Sequence, residues 1–273
     1  MMPVKPVSMT AFTQQIDHLD WAHIAADLDS EGCALLPGLL SAAQVRDLTR
    51  QLNCPINDSR SEQISDQTLR GMALVRGELG HGQIYFFKNT LPRVLAVLRT
   101  QLYRHLAPIA NRWNEVLDLA YRYPGTLERF VQSNHDAGQN QQLSHLHQLQ
   151  ESDYICLHQH NHGDLVFPLQ VALLLSEPEQ DFRGGELVMT EQRPRMQSRP
   201  LVLSLRPGDV ALMSTGHRPI KGNKGFYRVN MKHAISSVRS GQRIGLELFF
   251  HHAPGNEQRD THEQGSLLDT DRI

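Results

Sequence analysis

The sequence predicts an α+β fold, with helices packed on one side of a β-sandwich or barrel. Three observations predict it. Apolar residues recur at helical spacing up to about residue 117. From about residue 165 the pattern changes to short apolar runs separated by turn residues. No Pro-, Gly- or Ser-rich linker divides the two parts, so the helical and strand-rich stretches belong to one packed unit. The chain has 273 residues, 40% of them hydrophobic, which is enough for one large core. Residues 19–253 therefore read as a single domain between a polar leader, 1–18, and a polar tail, 254–273.

Each element follows from local signals. Trp21, Ile24, Ala25 and Leu28 fall on one helical face, and Gly32 ends that run. Residues 33–36 read as a short buried strand. Ser41 and Gln44 have the spacing of a capping box, and the helix they open carries Val45, Leu48 and Leu52 on one side. Residues 54–70 are polar and aperiodic, hence loop. Residues 83–87 form a strand after the Gly80-His81-Gly82 turn. Pro92 suits the start of a long helix bearing Val94, Leu98, Leu102 and Leu106. Pro108 is expected to kink or break it before Ile109, Trp113, Val116 and Leu117 continue the stripe. The Gln-, Asn- and His-rich stretch 134–150 reads as a surface loop. Strands are expected at 165–175, 186–190, 201–205, 210–214, 227–235 and 243–250, with turns at Gly184-Gly185, 206–209 and Ser240-Gly241.

Composition narrows the function. Lys and Arg number 27 against 29 Asp and Glu, a net charge of −2. No strong basic field exists to hold a phosphate backbone, which argues against nucleic acid as a partner. The apolar runs are too short to span a bilayer, so no membrane association is expected. The first residues lack the apolar stretch of a signal peptide, and a cytoplasmic protein is expected. Three cysteines at unrelated spacings, Cys33, Cys54 and Cys156, imply neither a disulfide framework nor a structural zinc site.

The chemistry concentrates in histidine, of which the chain has 15. Residues 157–164 read Leu-His-Gln-His-Asn-His-Gly-Asp. If the segment is extended, His158, His160, His162 and Asp164 share one face. Imidazoles two apart on a strand, with a third from a distant strand, can cap one face of a metal ion. Among later histidines, His233 lies in a strand-like context and His217 in a loop-like one. Arg243 follows His233 by ten residues, and the Ser240-Gly241 turn folds the chain back, so both can face one pocket. A guanidinium there would bind a carboxylate through two parallel hydrogen bonds.

These residues resemble the Fe(II)/2-oxoglutarate-dependent oxygenases of the prolyl 4-hydroxylase-like superfamily. The matching pieces are His158-Gln159-His160, the apolar strand 171–175, Gly184-Gly185-Glu186-Leu187, Pro207-Gly208-Asp209, and the stretch from His233 through Gly241-Gln242-Arg243. A bacterial subgroup of unknown substrate resembles the chain further, at residues 110–115, 167–170, 190–199 and 227–230. The resemblance covers roughly residues 20–253. It implies a double-stranded β-helix, or jelly roll, with N-terminal helices on one side, and Fe(II) and 2-oxoglutarate as cofactors. It makes His158 and His233 metal ligands and Arg243 the residue that binds the distal carboxylate of 2-oxoglutarate. Tyr154 is a further candidate for a cosubstrate contact. The substrate, a small molecule or a peptide, is not indicated.

The family pattern is His-x-Asp, but here the Asp position holds His160. Three readings stay open: His160 is itself a ligand, Asp164 supplies the carboxylate, or the register shifts to His162-Gly163-Asp164. The set taken is His158, His160 and His233, with His162 and Asp164 as the alternative. Three neutral ligands would leave the centre one unit more positive than two His and a carboxylate. Two other functions stay open: a cupin-like three-His dioxygenase without 2-oxoglutarate, which would have no need of Arg243, and a noncatalytic metal- or 2-oxoglutarate-binding sensor.

Overall fold

The computed structural model describes residues 9–52, 69–74, 79–88 and 90–255. The expectations for residues 1–8, for most of the 54–70 loop and for the tail from 256 fall outside that range. Within it, part of the expected leader is a helix, α1 (Met9–Asp17), because Phe12 and Ile16, one turn apart, insert fully into the core. Helix α2 (Trp21–Glu31) starts at Asp20, whose carboxylate accepts from the His23 N–H at 3.0 Å. It stops at Gly32, whose φ of 76° suits a residue without Cβ. Strand β1 (Cys33–Leu36) and helix α3 (Ala42–Gln51) follow, the latter opened by the reciprocal Ser41–Gln44 capping box.

Strands β2 (Leu69–Leu74) and β3 (Gly80–Phe87) precede α4 (Arg93–Val116), which runs straight through Pro108. The expected break is absent because Pro108 and Arg104 lie on the exposed face. The Arg104 carbonyl that loses its helical donor can turn to water. Helix α5 (Leu127–Asp136) begins at the Thr126 cap. It is followed by β4 (Gln141–Gln142) and β5 (His145–Leu149), and β5 is buried along its whole length. The stretch expected as a surface loop thus holds the end of α5, the short β4 and the interior strand β5.

The remaining strands are β6 (Tyr154–His158), β7 (Leu169–Leu174), β8 (Phe182–Gly184), β9 (Leu187–Gln192) and β10 (Arg199–Leu203). After them come β11 (Val210–Ser214), β12 (His217–Gly222), β13 (Gly225–Ile235), β14 (Val238–Gly241), β15 (Arg243–Phe249) and β16 (His252–Ala253). One antiparallel run has the order β1-β11-β7-β15-β5-β3, the other β6-β13-β9-β10, with β12 on β13. Strand β3 bonds to both β5 and β6 and so closes the two runs into a jelly roll. His217, expected in a loop, pairs with Asn230 in the β12–β13 hairpin.

Alternation along β15 shows where the core sits. Ile244, Leu246 and Leu248 face the helices and join a cluster with Leu98, Leu102 and Leu106 of α4. Each such fully buried leucine or isoleucine contributes about 1.5–3 kcal/mol. Arg243, Gly245, Glu247 and Phe249 alternate with them and face the barrel interior. A second apolar cluster fills the interior, with Ile155, Leu174, Met189, Met231 and Ile235. Among the described residues, no helix is long and apolar enough to cross a membrane.

Candidate metal centre

Five strands send polar side chains into one end of the barrel: His145 and His147 from β5, His158 from β6, Gln170 from β7, His233 from β13, and Arg243 and Glu247 from β15. The path of β6 decides which histidines enter. In the β6–β13 ladder His158 pairs with His233 and Ile155 with Ile235, three residues against two. This bulge lets both Ile155 and His158 face inward, which strict alternation forbids. The rings of His158 and His233 then lie 4.2 Å apart.

After His158 the chain leaves the sheet. The Gln159 amide donates to the carbonyls of Gly216 at 2.8 Å and Met231 at 2.7 Å, and to the Asn230 side chain. The His251 imidazole donates to the His160 carbonyl at 3.0 Å. These contacts fold His160 back over the pocket, its Nε2 3.0 Å from that of His158. His162 and Asp164 point the other way and are exposed. The shared face expected for residues 158–164 fails because the segment is strand only as far as His158. The register-shifted set is therefore outside the pocket. Tyr154, the weaker cosubstrate candidate, is half-buried beside His81, next to the inward Ile155 and so on the opposite face of the strand.

One residue that sequence reasoning missed is Glu247. Its carboxylate is 1% exposed, with Oε2 3.3 Å from His233 Nε2 and 3.2 Å from the donating Gln170 amide. One potential ligand atom from each of His158, His160, His233 and Glu247 lies within 4.8 Å of all the others. A lone glutamate inside an apolar strand, Arg-Ile-Gly-Leu-Glu-Leu-Phe, was the available signal. The expectation of a purely neutral centre is corrected, because Glu247 brings one negative charge into it.

A family model described as "Oxygenase, catalysing oxidative methylation of damaged DNA" (Oxygenase-NA) matches residues 82–253. The chain belongs to the Oxygenase-NA family. This oxygenase is 38% identical over 170 residues to the uncharacterized protein Rv2227 of Mycobacterium tuberculosis, a match covering 62% of the chain and 73% of the relative. It resembles prolyl 4-hydroxylases from Phytophthora capsici with a TM-score of 0.52 at 12% identity, covering 97% of this chain and 75% of that one. It also resembles a prolyl hydroxylase from Trichoplax adhaerens, solved with a hypoxia inducible factor peptide, with a TM-score of 0.50 at 11% identity and 98% of each chain covered. At these identities the structural likeness shows the fold, a jelly roll with helices on one side.

The donor set of this oxygenase fits a divalent transition metal. His158 Nδ1 lies 2.8 Å from the Cys156 carbonyl and must carry the proton, so its Nε2 offers a bare lone pair toward His160. Gln170 donates toward both His233 Nε2 and Glu247 Oε2. Acceptors that meet at these distances repel unless a proton or a cation lies between them. Burial, then His233, pushes the His158 imidazole down to about 4. Burial, then His158, puts His160 well below its usual range. Burial opposes ionisation of Glu247, yet His233 beside it holds the carboxyl well below the usual carboxylate range. At neutral pH His158 and His160 offer bare imidazoles and Glu247 a carboxylate, donors that suit Fe, Cu, Zn or Ni.

Arg243 lies in the same interior, 2% exposed. Its Nε donates to the Gly185 carbonyl at 2.7 Å and its Nη1 to His147 Nδ1 at 3.2 Å. Burial lowers the guanidinium to about 10, which leaves it charged at neutral pH. Among the described residues no carboxylate forms an ion pair with it.

Proposed function

We propose that this chain is an Fe(II)- and 2-oxoglutarate-dependent oxygenase, with the metal held by His158, His160, His233 and Glu247. One observation carries the reading: a pocket of converging metal donors shares the barrel interior with a buried guanidinium that, among the described residues, has no carboxylate in ion-pair contact. Glu247 supplies the carboxylate that the His-x-His strip lacks, which restores two histidines and one carboxylate and adds His160 as a further nitrogen. When bound there, iron supplies the redox chemistry that activates dioxygen.

The chain's own residues do the rest. Gln159 and His251 hold the His160 turn in place, and the Cys156 carbonyl fixes the tautomer of His158. Gln170 orients Glu247. Arg243 receives the distal carboxylate of 2-oxoglutarate, which gives a buried cation a directly contacting anion. Phe249 packs edge-on to His160, with ring centres 4.6 Å apart, and keeps water from one side of the donors. A three-His dioxygenase without 2-oxoglutarate has no use for Arg243. The noncatalytic reading drew its support from a missing carboxylate, and Glu247 offers one.

For substrate, the family's description names damaged DNA. A net charge of −2 suits recognition of a single base better than tracking of a phosphate backbone. The substrate class to test is therefore a damaged nucleobase, bound with weak salt dependence.

The test of the cofactor reading is an anaerobic titration of the Fe(II)-loaded protein with 2-oxoglutarate, followed by the visible metal-to-ligand charge-transfer band. A saturable band in the wild type, with Arg243→Ala needing at least roughly ten-fold more cosubstrate, supports the reading. Bound iron with no band contradicts it.

A further inference from the structure

The interior holds a buried histidine that the metal centre does not use. His147 lies on β5 opposite Gly245 of β15 and is 2% exposed. Its Nδ1 sits 3.2 Å from Arg243 Nη1. A guanidinium has no lone pair to give, so Nδ1 is the acceptor and the imidazole proton resides on Nε2. That Nε2 has no hydrogen-bond partner among the described residues. Arg243 thus spends Nε on Gly185 and part of Nη1 on His147, while its remaining N–H groups stay unanswered among the described residues.

Gly245 shows how tightly the two groups are gathered. A Cβ at that position would lie 2.1 Å from His147 Cε1, 2.6 Å from His147 Nε2 and 2.6 Å from Arg243 Nη1. Both nitrogens therefore lie over the glycine, close enough together to serve the two oxygens of one carboxylate. Only a residue without a side chain leaves room for them there.

We propose that His147 is a cosubstrate-binding residue: Nε2–H of its neutral imidazole and the free N–H groups of Arg243 together clamp the distal carboxylate of the 2-oxo acid. The inference rests on the 2-oxoglutarate reading given above. The hydrogen bond from Arg243 to Nδ1 is then functional, since it selects the tautomer that turns a donor toward the anion. The pair makes a dicarboxylic 2-oxo acid the preferred cosubstrate over a monocarboxylic one.

The test uses two acids that share the 2-oxo acid head and differ at the far end: 2-oxoglutarate, and 2-oxobutyrate, which has no distal carboxylate. Each is titrated anaerobically into Fe(II)-loaded wild type, His147→Phe and His147→Gln, with the charge-transfer band as the binding signal. In His147→Phe, 2-oxoglutarate should bind roughly ten-fold more weakly or worse, while 2-oxobutyrate binds as it does to wild type. His147→Gln, whose amide can donate, should recover part of the loss. The unchanged 2-oxobutyrate band shows that the variant keeps its fold and metal. Unchanged 2-oxoglutarate affinity in His147→Phe overturns the proposal, and so does an equal loss for both acids. A wild type that binds iron but gives no band with either acid overturns the cosubstrate reading itself and this inference with it.

Discussion

Two of the buried clusters of charged groups among the described residues are built in opposite ways. The first joins β12 to the end of α2. Arg218, 1% exposed, donates to the carbonyls of Asp29 at 2.6 Å and Ser30 at 2.8 Å and to the Glu191 carboxylate. Glu191 also accepts from Arg193 at 2.8 Å. Positive charge there meets negative charge, and the helix end presents its carbonyls to a cation. The second cluster is the His158–His160–His233–Glu247 pocket. Its acceptors face one another, and Arg243 in the same interior has no carboxylate in ion-pair contact among the described residues. The difference separates a cluster that holds the fold from one arranged for something it must bind.

Removing one member of each cluster should have unequal effects. Arg218→Met leaves the Asp29 and Ser30 carbonyls unanswered and Glu191 with only Arg193 and Arg199, and should cost about 3–5 kcal/mol of stability. Urea unfolding measures it, and a loss below about 1 kcal/mol would make the two clusters alike. Gln159→Ala frees the turn that brings His160 into the pocket. Metal affinity should fall about 10–100-fold with the fold intact, as for other residues that orient a ligand. An unchanged affinity, read by competition with a metal chelator, would separate the Gln159 contacts from the site. The smallest effect concerns metal-free protein. Glu247→Gln keeps an acceptor oxygen for Gln170 but gives up the charge that His233 holds, so the melting temperature should fall only slightly. A marked fall would place Glu247 among the residues that hold the fold.

Much of this was legible in the sequence, and the failures are instructive. The Ser41 cap, the Gly32 stop and strands such as β11 depend on local chemistry, and local reading found them. Helix α1 escaped because Phe12 and Ile16 are its buried anchors in an otherwise polar stretch that reads as leader. Strand β5 escaped because its histidines and glutamine read as surface, yet His145 and His147 are interior residues of a binding pocket. His158, His160, His233 and Arg243 were within reach because histidines spaced by two and a distant arginine carry a recognisable pattern. Glu247 and His147 were not. Each becomes a site residue only through strand pairing, Glu247 by facing His233 across the barrel and His147 by lying under Arg243. The exposure of Asp164 likewise depends on where β6 ends, which turns on the bulge and on the three contacts of Gln159.

The central claim is that the carboxylate of the metal centre comes from β15, not from the histidine strip. Side-by-side Fe(II) titrations of wild type, Glu247→Gln and Asp164→Asn under anaerobic conditions test it directly. The account predicts that Glu247→Gln loses at least roughly 100-fold in affinity, because the only negative charge in the cluster is gone, while Asp164→Asn binds as wild type does. Loss of iron in Asp164→Asn with full retention in Glu247→Gln would contradict it.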